Sequence, residues 1–189
     1  GLLVHGVLAE AIGQAPGLMQ AHSNFVRKVV FPLPVLVAVP LGTSLFHASF
    51  GFVLLVLVNG LMGGGWHLAA VAAPFILLPY LVLLYGLALA FAALGVYIKD
   101  LGQITSMLVM LALFTGAVFF PRDMVPPALS GVVDFNPITW PIQALRDSLL
   151  HGQWPSLAGW GLYSLAALAV LGVGWWIFAT LRKGFADVL

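Results

Sequence analysis

The chain contains 189 residues, of which 62% are hydrophobic, 7% are charged and none is cysteine. Soluble globular domains average about 25% charged residues, so this composition excludes a water-soluble domain and indicates an integral membrane protein. Without cysteine the chain has no disulfide framework, no thiolate nucleophile and no cysteine-based metal site. The net charge of +1 says little about partners, and the positions of the charges carry more information.

Residues 1–12 have the composition of the end of a membrane span. The chain does not begin with Met and opens inside an apolar stretch, so we expect a longer protein whose N-terminal part precedes this sequence. A short interfacial start is the alternative. Residues 13–31 are more polar and predict a water-facing or interfacial segment, in which Ser23 or Asn24 is a candidate N-cap for a short helix that includes Phe25.

The longest uncharged stretch holds 70 consecutive residues, 29–98, without Asp, Glu, Lys or Arg. A hydrocarbon core about 30 Å thick takes about 20 apolar residues per helix. The stretch therefore predicts two spans, about 35–61 and 69–98, with a glycine turn between them. The second span is longer than one crossing requires, and Pro74 and Pro79 predict a kink in it or a short separate interfacial piece.

A further span is predicted at about 104–120 and the last one at about 157–181. The segment between them is rich in proline and carries charged residues. Its proline spacing predicts two short helices, about 125–133 and 138–150, neither of which is long or apolar enough to cross a bilayer. Backbone at membrane depth must be covered by protein or face water. The expected fold is all-α, a polytopic integral membrane helical bundle that forms one domain, 1–189.

The basic residues predict the orientation of the spans. Alternation of the spans places Arg122 and Arg146 on one side and the other five basic residues on the opposite side. Cytoplasmic loops carry the excess of Lys and Arg, so the larger group is expected in the cytoplasm. Its members are Arg27, Lys28, Lys99, Arg182 and Lys183. Each outer arginine is followed by an aspartate, Asp123 or Asp147, and this adjacency predicts local ion pairs.

Motifs for energy conversion and catalysis are missing from the sequence. It has no G-x-x-x-x-G-K-[ST] run to hold ATP phosphates and no pair of intramembrane carboxylates to indicate a proton relay. The five histidines are scattered without metal-ligand spacing. His47, inside a predicted span, is expected to be packed and hydrogen-bonded. Converging carboxylates that would suggest a glycosidase-like enzyme are also missing. We therefore expect no catalytic residue, no metal site and no cofactor, and transport that is passive or driven by a partner.

Aromatic residues are candidates for two roles. Most are expected to form belts at the two membrane interfaces. Tyr85, Phe91 and Phe114 lie in the middle of predicted spans, and these three are candidate channel-lining residues. Aromatic ring faces would suit a sugar polymer because they stack on its C–H faces.

Small residues are frequent in the spans, and Gly86 and Gly174 are two of them. In lipid, small residues let helix backbones approach closely. We therefore expect tight helix packing at these positions.

Three local patterns occur in a defined order. NFVRKVVFP (24–32) precedes the span at 35–61, GVYIKDLGQ (95–103) lies between the next two spans, and NP (136–137), followed by RDSLLHG (146–152), precedes the last span. Together they resemble the permease subunit of ABC transporters of the type-2 exporter class. Within that class they are most similar to the polysaccharide exporters that move O-antigen, capsule or teichoic acid chains. The resemblance covers nearly the whole chain and begins in the second of the family's six spans.

On the cytoplasmic side, the resemblance implies a segment at about 15–31 that docks on an ATPase subunit. Its candidate coupling residues are Asn24, Phe25, Arg27, Lys28, Phe31 and Pro32. Lys99 and Asp100 would occupy the next cytoplasmic loop. The family often has arginine before this aspartate, and lysine keeps the charge but loses the bidentate geometry of arginine.

On the external side, the resemblance implies that residues 124–150 form short re-entrant helices before the last span. The candidate residues of this region are Arg122, Asp123, Asn136, Pro137, Arg146 and Asp147.

The resemblance implies a transport subunit rather than an enzyme, a permease of a bacterial inner (plasma) membrane for the export of a lipid-linked polysaccharide. Its partners would be a separate ATP-binding subunit that holds ATP and Mg²⁺, a second copy of the permease, the lipid-linked glycan and the bilayer, with no nucleic acid. Three alternatives stay open. They are a permease of the same family for a drug, lipid or peptide, a passive channel or assembly subunit without an ATPase, and a membrane enzyme.

Overall fold

A computed structural model describes residues 1–24, 32–62, 67–120 and 122–188. Within these residues the secondary structure is helical and contains no strand, so the predicted all-α fold is confirmed. The helices, in chain order, are α1 (Leu2–Ala21), α2 (Leu33–Leu61), α3 (Ala73–Tyr97), α4 (Leu101–Thr115), α5 (Pro127–Phe135), α6 (Thr139–Leu150), α7 (Leu157–Leu181) and α8 (Phe185–Val188). Short 3₁₀ turns lie at Leu68–Ala72, Arg122–Met124 and Arg182–Gly184.

Among the residues that the structure describes, four helical segments are long and apolar enough to cross a membrane. They are α1, α2, α3 together with the 3₁₀ turn before it, and α7 together with the 3₁₀ turn after it. The expectation of a polytopic helical membrane bundle is therefore confirmed. The break between the turn at Leu68–Ala72 and α3 comes just before Pro74, which lies in the first turn of α3, where proline is well tolerated.

The predicted end of the first span near residue 12 is wrong. Helix α1 continues to Ala21, and Ala15 and Met19 in its second half are buried in the bundle. The polar residues that suggested a water-facing segment, Gln14 and Gln20, lie on the exposed face of the same helix. The remainder of the predicted short helix, 25–31, lies outside the described residues.

The predicted span at 104–120 also differs from the structure. Helix α4 begins at Leu101 and ends at Thr115, and its 15 residues reach only about 22 Å. Ile138 packs closely against the residue that follows this end. A Cβ at Gly116 would lie 2.8 Å from the Ala112 carbonyl oxygen and 2.9 Å from Ile138 Cγ1, so only glycine allows Ile138 to pack there.

Hydrogen bonds between helices fix their relative directions. The Tyr80 hydroxyl donates to the Val4 carbonyl near the start of α1 and α3, and Gln20 donates to the Gly95 carbonyl near their ends. These two helices are therefore parallel. Near the start of α7, Trp160 Nε1 donates to the Phe75 carbonyl of α3, and at its end the Leu181 carbonyl accepts from the Tyr97 hydroxyl of α3. Helix α7 is therefore parallel to α1 and α3 as well.

The bundle consequently has two ends, and α3 lies at its centre between α1 and α7. We call the end where α1, α3 and α7 finish the Lys99 end. We call the end where these three helices begin the Trp154 end. Gly86 lies at the crossing of α3 and α7, where a Cβ would come within 2.6 Å of Leu171 Cα. The expectation of tight packing at this glycine is confirmed.

Two short helices, α5 and α6, lie where the proline spacing predicts them. They occupy the Trp154 end, where α6 packs against α3 and the turn at Leu68–Ala72. Ile138, Ile142 and Leu145 are buried there. The placement of α5 and α6 as re-entrant helices of a bilayer stays a prediction.

Candidate functional site

Asn136 links three elements at the Trp154 end. Its Nδ2 donates to the Ala112 carbonyl at 2.9 Å and to Thr115 Oγ1 at 2.8 Å, and its Oδ1 accepts from the Ile138 amide at 3.1 Å. The Ala112 carbonyl also accepts from the Gly116 amide at 3.0 Å. The Asn136 carboxamide therefore adds a second bond at the end of α4 and sets the turn that leads into α6.

Pro137 holds the same corner against α7. The Tyr163 hydroxyl donates to the Pro137 carbonyl at 2.6 Å, and the Trp140 ring stacks on the Tyr163 ring with centroids 4.9 Å apart. Tyr163 lies six residues beyond Leu157, which is about 9 Å along α7 from its start. The corner between α5 and α6 therefore lies beside α7, further into the bundle than the first residue of that helix.

Arg146 binds the chain that follows α4. Its Nη2 donates to the carbonyls of Ala117 at 3.1 Å and Val118 at 3.4 Å, and its Nη1 is buried with no partner among the described residues. The predicted ion pair of Arg146 with Asp147 is wrong. Neighbouring residues on a helix point in different directions, and Asp147 instead lies 3.2 Å from Nδ1 of His151, one turn further along.

Arg122 also finds a partner that is distant in sequence. Its guanidinium pairs with Asp134 of α5 at 2.5 Å, with both side chains partly exposed. Exposed pairs of this kind contribute little to stability, so this contact orients the 3₁₀ turn more than it stabilises the fold. Asp123 lies in that turn, and its side chain is outside the described residues.

The cytoplasmic candidates lie at the opposite end of the bundle. Lys99 and Asp100 are exposed in the short connection between α3 and α4. Asn24 and Pro32 are exposed on either side of the undescribed stretch. The other four coupling candidates, Phe25, Arg27, Lys28 and Phe31, lie outside the described residues.

The three candidate channel-lining rings have different environments. The half-buried Tyr85 donates from its hydroxyl to the Pro34 carbonyl at 2.9 Å and so joins α3 to the beginning of α2. Phe91 is half-buried against the core. Phe114, on α4, exposes 64% of its surface. The lining of a channel by these residues stays a prediction.

Sequence reasoning missed a contact between the middles of two candidate spans. Oε2 of Glu10 in α1 lies 3.3 Å from Nδ1 of His47 in α2. His47 is hydrogen-bonded as expected, but it is not packed, because 62% of its side chain is exposed. Extending the first predicted span beyond residue 12 would have placed Glu10 near the middle of a helix. An acidic residue in the middle of a span would have indicated a functional position.

Most of the chain is similar to one known family of membrane proteins. The family model for ABC-2 type transporters matches residues 1–150. The chain belongs to the ABC-2 type transporter family. The match ends at the last residue of α6, so this ABC-2 membrane domain contains Glu10, His47, Asn136 and Arg146 within the matched region.

Two curated relatives are similar to this ABC-2 chain over most of its length. Both are described as O-antigen export system permease protein RfbA of Klebsiella pneumoniae. Each is 24% identical over 177 residues, which cover 89% of this chain and 65% of the relative. The chain thus spans just under two thirds of the length of these permeases. Family membership and the apolar helices together identify it as a multi-pass transport protein of a bacterial inner membrane.

Proposed function

We propose that this chain is the permease part of an ATP-driven exporter of lipid-linked polysaccharide. The observation that carries the proposal is the similarity to O-antigen export permeases along 89% of the chain. The sequence has no phosphate-binding G-x-x-x-x-G-K-[ST] run, which favours a separate subunit as the site of ATP hydrolysis. A second copy of the permease would complete the path for the glycan.

The coupling to ATP enters at the Lys99 end. Helix α1 ends at Ala21 and α2 begins at Leu33, so a partner that binds the residues between them acts on both helices at once. ATP-driven closure of the partner shifts the permease only if the closed partner binds one permease state more tightly than the other. Helix α1 would transmit the movement to α3, to which Gln20 and the buried half of α1 are attached.

The Trp154 end acts as the exit side. Asn136 and Arg146 tie the α5–α6 pair to the end of α4, and Tyr163 ties it to α7. A movement of α4 relative to α7 would therefore carry the two short helices with it. In this proposal they are re-entrant elements that open or close the external mouth of the path.

The coupling assignment is tested by reversing two charges. Arg27→Glu with Lys28→Glu is expected to abolish both co-purification of an ATP-binding subunit and delivery of polysaccharide to the cell surface. Arg182→Glu with Lys183→Glu makes the same charge change on the same predicted side of the membrane, and is expected to leave subunit binding intact. Glycan extracted from the cell surface and pull-down from detergent-solubilised membranes provide the two measurements.

Unchanged subunit binding and unchanged export in the first variant would contradict the coupling assignment. A permease that co-purifies with an ATP-binding subunit but delivers no glycan would favour a drug, lipid or peptide as cargo. Co-purification with no ATP-binding protein at all would favour a passive channel.

A further inference from the structure

Helix α1 has two faces of different chemistry. The face toward the other helices is apolar and buried, and it includes Val4, Leu8, Ile12, Ala15 and Met19. The opposite face repeats at intervals of three or four residues and consists of glycine and polar residues. Its members are Gly6, Glu10, Gly13, Gln14, Gly17 and Gln20, and all except the partly exposed Glu10 are exposed. We call this set the α1 polar face.

The α1 polar face does not suit contact with lipid. Polar and ionisable side chains inside spans are costly in hydrocarbon, and they almost always face the bundle interior or a water-filled cavity. Apart from the contacts of Gln20 with α3 and of Glu10 with α2, the bundle interior lies on the opposite side of α1. Because α1 is long and apolar enough to span a membrane, Glu10 near its middle would lie at membrane depth. Water is therefore the surrounding that fits this face.

Helix α2 extends the same polar surface. Glu10 Oε2 lies 3.3 Å from His47 Nδ1, and 29% of the Glu10 side chain and 62% of the His47 side chain are exposed. Thr43, one turn along α2 from His47, is exposed as well. The Glu10–His47 pair stays accessible although it lies between two candidate spans. This exposure is a second indication of a hydrated surface, separate from the residue spacing along α1.

The charges on this surface indicate the kind of polymer that it accepts. Neither α1 nor α2 contains Lys or Arg, the side chains that bind phosphate groups. Carboxylate, carboxamide and imidazole groups exchange hydrogen bonds with hydroxyls. A Cβ at Gly6, Gly13 or Gly17 would meet no atom within 4 Å, so the glycines leave open space beside the helix backbone.

We propose that the α1 polar face, with the Glu10–His47 pair, is a water-exposed binding surface for an uncharged, hydroxyl-rich polymer. The inference rests on the proposed function in that the polymer is the exported glycan. It narrows the substrate class, because a polymer with regularly spaced phosphates would find no Lys or Arg on α1 or α2 and would be repelled by Glu10.

Hydration of the surface is tested first, by cysteine labelling in the complete protein in membranes. This chain has no native cysteine, so Gly13→Cys, Gly17→Cys and Gln14→Cys each add one thiol to it, and labelling of the unmodified protein is subtracted from each. We expect all three to react with membrane-impermeant methanethiosulfonate reagents. Leu168→Cys is the control, because Leu168 is exposed in the middle of α7 on an apolar surface and is expected to stay unreactive. If the α1 thiols are as unreactive as the control, the surface is covered by lipid or protein and the proposal is overturned.

The sign of the potential is tested with the same variants at one fixed pH, about 8. Rates are normalised to the rate of each reagent with free cysteine. A cationic ethyltrimethylammonium reagent is expected to modify Gly13→Cys about three to five times faster than an anionic ethylsulfonate reagent. Glu10→Gln is expected to remove this difference. An equal rate for both reagents, or a preference for the anion, would overturn the exclusion of phosphate-rich polymers.

Binding is tested by protection of the Gly13→Cys thiol. Maltoheptaose, an uncharged oligosaccharide, is expected to slow the labelling at least about twofold, whereas polyphosphate at the same monomer concentration leaves the rate unchanged. No slowing by maltoheptaose, or equal slowing by both, overturns the assigned substrate class. These measurements need no ATPase, so the surface and the coupling of the proposed function can fail independently of each other.

Discussion

At the scale of single residues, the notable contacts join side chains to backbone carbonyls that are far away in sequence. Asn136 reaches back to Ala112, and Arg146 reaches back to Ala117 and Val118. The sequence predicted that these residues belong to one external segment, and it suggested Asp147 as the partner of Arg146. It could not reveal their actual partners, because those are carbonyl groups, which every residue has, and only the tertiary fold selects among them.

The Asn136 contacts predict a loss of stability on truncation. Asn136→Ala leaves the Ile138 amide without its partner, whereas the Ala112 carbonyl keeps its bond from the Gly116 amide, and an unpaired buried polar group costs about 1–3 kcal/mol. We expect the midpoint of thermal unfolding in detergent to fall by about 2–4 °C for each kcal/mol. Gln153→Ala removes an exposed side chain of the same chemical type and is expected to leave the midpoint unchanged. An equal midpoint for the two variants would show that Asn136 does not hold the corner.

At the scale of elements, hydrophobic patterning predicts which helices exist better than it predicts where they end. Helix α2 covers the predicted span 35–61 almost residue for residue. The end of α1 was misplaced because the glutamines on its outer face look like a water-facing segment when read along the chain. The end of α4 was misplaced because the residues that pack against it and bond to it, Ile138 and Asn136, lie more than twenty residues further on.

The crossing of α3 and α7 predicts opposite effects for two glycine substitutions. Gly86→Ala places a Cβ 2.6 Å from Leu171 Cα, backbone that cannot yield, so overpacking of about 1–3 kcal/mol is expected. Gly172→Ala, in α7, meets nothing within 4 Å and should stabilise the helix by about 0.5–1 kcal/mol. Thermal unfolding midpoints of the two proteins in the same detergent compare the effects. A Gly86→Ala protein as stable as the unmodified one would contradict close packing at this crossing.

At the scale of the whole molecule, most of the outer surface is apolar. Helices α2, α4 and α7 expose many large hydrophobic side chains, among them Phe46, Leu54, Met110, Leu165 and Trp176. Soluble monomers rarely expose contiguous apolar patches of this extent, which agrees with a bundle surrounded by lipid. Against this background the polar outer face of α1 is the exception, and it was invisible to hydropathy because α1 as a whole is apolar.

The arrangement of basic residues predicts which end of the bundle faces the cytoplasm. Trp154→Cys is expected to react with an impermeant maleimide in intact spheroplasts, whereas Lys99→Cys should react only after the membrane is permeabilised. Both side chains are exposed in the structure, so the difference would report sidedness rather than burial. The reverse pattern would invert the orientation and, with it, the placement of the ATPase contact.

The parallel run of α1, α3 and α7 has an electrostatic consequence. Each helix carries a macrodipole equivalent to about half a negative elementary charge at its C-terminus, and all three C-termini meet at the Lys99 end. Lys99 lies two residues beyond the end of α3, and Arg182 and Lys183 follow α7 directly. The cations that are predicted to retain this end in the cytoplasm therefore also offset the dipoles of α3 and α7. Topology and helix electrostatics thus favour the same placement of charge.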